Sequence, residues 1–171
     1  MLSSKVFESG TLVSGSSDTA KSENNDCVVV AVANSFGINY DQAHSFVKDE
    51  FNRRKGQGTY YTNGKMKKLS KNPLTFEPKG QLDLFDNGVK TVNVEHIGDQ
   101  PKRGGNLVNK TYKHKKVAYT VKAFMSKFKR GNYFVLVHKH ALAIKDGKLM
   151  DNENYRFDGY RRVVESAFKI N

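Results

Sequence analysis

The stretch NYFVLVHKHALAIKDGKLMD, residues 132–151, contains three short apolar runs, NYFVLVH, HALAIK and KLMD. The last two meet at Asp146-Gly147, a pair suited to the two-residue hairpin turn whose central residues both need positive φ. Just upstream, TVKAFMSKFKRG places Val121, Phe124, Met125 and Phe128 on one helical face, with Thr120 as N-cap and Gly131 as terminator. This third of the chain therefore reads as a helix followed by an antiparallel sheet.

Further out, ENNDCVVVAVANSFG (residues 23–37) has apolar residues at nearly every position after Asp26, which offers an N-cap, and stops at Gly37. Val28, Val29 and Val30 would suit a buried strand equally well. The following segment, NYDQAHSFVKDEFNRR, favours helix: Ala43, Phe46, Val47 and Phe51 recur at helical spacing behind a capping candidate, Asn39 or Asp41. Helices first and a sheet afterwards define an α+β class in a single domain, 1–171. Residues 1–26 read as an irregular lead-in, and residues 52–117 as a loop-rich insertion in which KTVNVEHI alternates like a single strand.

The insertion also holds the charge. Of the net +12, residues 52–117 supply 15 Lys+Arg against 5 Asp+Glu, a net of +10. Such an excess attracts nucleic acid or an acidic protein. Tyr60, Tyr61 and Tyr112 lie among Lys65, Lys67, Lys68, Lys115 and Lys116, the mixture of aromatics and cations that grips single strands. The plain alternative is a solvated face that keeps a loop-rich segment in solution. The N-terminus has neither a signal-peptide core nor a membrane-spanning run, and the lone cysteine needs no oxidising compartment. Both point to a cytoplasmic location away from membranes.

Cys27 is that only cysteine. A free thiol beside VVVAVA is packing on general grounds. At the first turn of a helix, however, unpaired N–H groups and the helix dipole favour a thiolate, which as a nucleophile needs a histidine base and a group to orient it. His140 opens HALAIK and Asp151 follows KLM one hairpin later, so adjacent strands can bring them to one edge. A strand running through both His138 and His140 would instead offer a metal pair, but no further tight cluster completes a coordination shell, and no metal or cofactor is implied. His44 and His114 read as a helix-surface and a basic-loop residue.

The order Cys, His, Asp, with the thiol on an N-terminal helix and the others on a C-terminal sheet, resembles the papain-like cysteine peptidase superfamily. Within it, Asn25-Asp26-Cys27, VVVAVANSFGINYDQAHSFV, RRKGQGT and GNYFVLVHKHALAIKDGKLMDN resemble short papain-like proteins of bacteriophages and bacteria. The resemblance spans roughly residues 24–59 and 118–152. It implies N-terminal helices packed on a C-terminal antiparallel sheet, with Cys27 as nucleophile, His140 as base and Asp151, or Asn152 in its place, as orienter. The implied activity is thiol-dependent hydrolysis of a peptide or isopeptide bond, or acyl transfer through the same acyl-enzyme. A phage origin would put the protein in the host cytoplasm or the virion. Within the resemblance, His44 buttresses the first helix. Many relatives carry a Gln before the cysteine for the oxyanion hole; KSENND has none, leaving Asn24 or Asn25 as side-chain donor. The competing expectation is a non-catalytic binding module acting through the basic middle.

Overall fold

A computed structural model of the chain describes residues 19, 23, 25–77, 89–99, 119–151 and 161–171. Asn24, Tyr112, His114, Lys115, Lys116 and Asn152 lie outside the described residues.

The valine run is a helix, α1 (Cys27–Phe36). Its β-branched residues favour strand on propensity, but tertiary packing overrides this. The helix lies against the sheet on one side and a second helix on the other, so Val28 through Ala33 and Phe36 are all buried. The buried Ser35 hydroxyl donates to the Ala31 carbonyl at 2.6 Å. Gly37 takes the left-handed conformation, φ 64°, and ends the helix as expected. Helix α2 (Tyr40–Phe51) starts with a full capping box: the Asn39 side chain accepts from the Gln42 amide at 2.8 Å, and the Asn39 amide donates to Gln42 Oε1 at 3.2 Å.

Residues 52–117 are not simply loop. Thr62–Leu69 form helix α3, and β1 (Leu74–Phe76) pairs with β2 (Lys90–Val92) as a two-stranded antiparallel ladder. KTVNVEHI is not one strand but two. After β2 the chain crosses at Asn93 into β3 (Val94–Asp99), which belongs to the main sheet. Helix α4 (Val121–Lys127) follows, capped by Thr120. It ends before Gly131, which at φ 99° instead turns the chain into β4 (Asn132–Val137).

Strands β4, β5 (His140–Lys145), β6 (Lys148–Met150) and β7 (Val164–Ile170) join β3 in an antiparallel sheet of order β3-β7-β4-β5-β6. Central β4 is covered on both faces, which explains its unbroken apolar run. Phe134 packs into the cluster under α1 and α2 with Ala141 and Phe168, while Tyr133 and Val135 pack with Val121, Phe124 and Leu142 in the cluster under α4. Asp146 and Gly147 both have positive φ, 47° and 71°, as the β5–β6 turn requires. A second tight turn at His138-Lys139 joins β4 to β5. His138 therefore lies outside the strand that His140 opens, exposed and 3.5 Å from Glu165, and the shared strand face needed for a metal pair does not form. Among the described residues, no group of three His, Cys, Asp or Glu side chains is placed to hold a metal ion, and no helix is long and apolar enough to cross a membrane.

Candidate active site

Three elements converge on one end of the sheet. Helix α1 packs on β5 and β4, which brings its first residue, half-buried Cys27, to the end where β5 begins. His140 is the first residue of β5. Strand β6 returns alongside β5, with Met150 opposite Ala143, so Asp151 passes close to the start of β5. His140 Nε2 lies 2.8 Å from Asp151 Oδ1 and 3.0 Å from Oδ2, with both residues buried. This leaves Nδ1 as the ring nitrogen for the hydrogen bond between His140 and Cys27.

Burial opposes charge on the His140 ring, but hydrogen bonds and charge from Asp151 and Cys27 outweigh it and raise the pKa to about 9. The surroundings therefore favour the charged ring, whose two N–H groups would point one toward Asp151 and one to the side of the thiol. That is the arrangement a cysteine nucleophile needs: a held base, a fixed orientation and a proton ready for a leaving group.

The thiol opens into a cleft of about 900 Å³, with Asn25, Cys27, Leu136 and His140 on its walls and Tyr60 and Tyr61 beside them. Those two tyrosines are 70% and 89% exposed, large aromatic surfaces offered to whatever occupies the cleft. Tyr61 also holds a left-handed backbone, φ 56°, unusual for a bulky residue. Asn25 reaches the cleft with its own φ of 56°, but its Nδ2 donates to the Gly56 carbonyl at 3.4 Å. Of the lysines grouped with these tyrosines, Lys65 donates to the Phe51 carbonyl and Lys67 pairs with Asp99 at 2.5 Å, while Lys68 is exposed. Tyr60 and Tyr61 thus belong to the cleft, and two of the cations beside them are bonded to protein partners.

Two features of the surroundings have no local signal in the sequence. Glu23 is buried against Arg53 at 2.9 Å, meets His44 at 3.1 Å and accepts from the Gly56 amide at 3.3 Å. This clamp joins the segment entering Cys27 to the loop leading to Tyr60, and it gives His44, expected on the helix surface, a partner in a part-buried pair with its side chain 18% exposed. Burial would raise the Glu23 pKa, but Arg53, Gly56 and His44 together pull it below its usual value. Second, the buried Tyr40 hydroxyl donates to Asp26 Oδ2 at 2.8 Å, so the side chain of Asp26 does not cap α1. The expected N-cap is present in position but not in bonding.

Compared with protein-family models, with curated proteins and with solved structures, the chain matches none.

Proposed function

We propose that the protein is a papain-like cysteine hydrolase acting on peptide or isopeptide bonds through Cys27, His140 and Asp151. The observation that carries this reading is His140 held at 2.8 Å by Asp151 through Nε2 while hydrogen-bonded to Cys27 at the mouth of a cleft. The Cys27 sulfur attacks the carbonyl carbon, and its proton resides on His140. As the C–N bond breaks, His140 returns that proton to the departing amine, leaving a thioester. Water, deprotonated by His140, then releases the acid and regenerates the thiol; a second amine in place of water gives acyl transfer. First-turn amides of α1 and the flanking cleft wall supply donors for the carbonyl oxygen. Tyr60 and Tyr61 supply aromatic surface for substrate side chains.

The test is alkylation of Cys27 by iodoacetamide at pH 7, located by peptide mapping. The native protein is expected to react at least about tenfold faster than His140→Ala, since base assistance is worth that much or more. Equal rates in the two proteins would overturn the reading.

A further inference from the structure

We infer that Tyr40 is a positioning residue that keeps the carboxylate of Asp26 away from the first turn of α1, so that the amides there remain available to a carbonyl oxygen turning into an oxyanion on Cys27. This rests on the catalytic reading above and names a part of the site that reading does not include.

The molecule provides its own controls. Asn39 and Thr120, the N-caps of α2 and α4, have extended backbones with ψ 165° and 161°, and each side chain accepts from an amide of its helix. Asp26 holds the same position at α1 and is among the residue types best suited to capping. Yet its backbone sits at φ −98°, ψ 17°, and its side chain makes no cap bond. Its carbonyl accepts normally from the Val30 amide at 3.0 Å, so the helix begins in register. What differs is the backbone of Asp26 and, with it, where the side chain goes. Tyr40, 1% exposed and fixed at the start of α2 by the Asn39 capping box, donates its hydroxyl to Asp26 Oδ2.

The consequence is electrostatic. First-turn amides have no carbonyl partner within the helix and face out along its axis. At α1 that end lies in the cleft, whose walls include Asn25, Asp26, Cys27 and Val28. A carboxylate capping those amides would occupy them and place a negative charge where the reaction develops one. Tyr40 prevents this by giving the carboxylate a buried donor elsewhere.

The experiment uses p-nitrophenyl acetate, an acyl donor with no substrate specificity to satisfy, and follows acetylation of Cys27 by mass spectrometry and the burst of p-nitrophenolate. The sulfur forms its bond to the acetyl carbon, p-nitrophenolate leaves with the bonding pair, and the thiol proton passes through His140 to solvent. In Tyr40→Phe, acetylation is expected to fall about tenfold or more, below the full loss of an oxyanion donor. Alkylation by iodoacetamide, which forms no oxyanion, is expected to change less than about threefold. Adding Asp26→Ala to Tyr40→Phe removes the competing carboxylate and is expected to restore acetylation. A residue that only supports the fold would not be rescued by a second truncation. Asp26→Ala alone, which does not depend on Tyr40→Phe folding, is expected to lose less acetylation than Tyr40→Phe does.

An unchanged rate in Tyr40→Phe, no rescue in the double variant, or a loss in Asp26→Ala as deep as that in Tyr40→Phe would each overturn the inference while native acetylation leaves the catalytic reading standing. No acetylation of Cys27 in the native protein would overturn both.

Discussion

Asp151 holds His140 by one ring nitrogen and thereby decides what the other can do. The pair is buried, with side chains 2% and 7% exposed, so removing the carboxylate strips a buried ring of the partner that satisfies its nitrogen and holds its charge. Asp151→Ala is expected to lose about 3 kcal/mol at pH 7 in urea unfolding. Cys27→Ala removes one half-buried sulfur and is expected to stay within about 1 kcal/mol of native stability, so lost reactivity there reports chemistry and not unfolding. That the three residues meet is legible in the sequence because the hairpin places two of them at one edge and the helix start presents the third. Tyr40 and Glu23 are not, because a tyrosine 14 residues from Asp26 and a glutamate 30 residues from Arg53 make their meaning only by folding.

The turns and caps carry their signal within a few positions, which makes them readable. Asp146-Gly147 forms the turn its composition asks for, and Gly147 at φ 71° has only an ordinary contact, 3.5 Å, where a Cβ would go. Gly147→Ala is therefore expected to cost about 1 kcal/mol through backbone strain alone, read as a shift in the thermal midpoint. Asn39→Ala is expected to cost about the same by loss of the capping box. Helix α3 escapes sequence reading because TNGKMKKL buries only Thr62 and Met66 and carries a glycine inside it. Strand β7 escapes because VESAFKI is buried unevenly, with only Glu165 fully outward and Lys169 partly so. Its place is visible only once β3 and β4 flank it. The split of KTVNVEHI is hidden likewise, since alternation continues through Asn93 while the hydrogen-bonding partners change.

Charge across the fold sets a working window in pH. The pKa of Glu23 is lowered from 4.5, and that of Asp99 from 3.8 to about 2: burial opposes the charge of Asp99, but Lys67, Ser166 and His96 outweigh it. Each contributes stability that is present above its unfolded value and lost as pH falls. His140 is raised from 6.5 to about 9, so its contribution is complete below 6.5 and lost as pH rises through 9. Stability is expected to be greatest between about pH 4.5 and 6.5 in urea titrations, with an alkaline decline that flattens in His140→Gln. Glu23→Gln is expected to speed hydrogen exchange at the Gly56 amide by opening the clamp beside the cleft. The candidate site itself is divided between the two ends of the chain: Cys27 lies 113 positions before His140, and β5 is held in a sheet whose inner strand β7 is translated later still. Contacts of such long range are the slow ones to form. If Cys27 acts through His140, a chain in which only α1 and α2 had paired would have a thiol without its base, and nucleophilicity would arrive only when the last strands dock. The hydrolase reading therefore implies a built-in delay: during refolding, the reactivity of Cys27 should lag behind helix formation and serve as a clock for closure of the sheet.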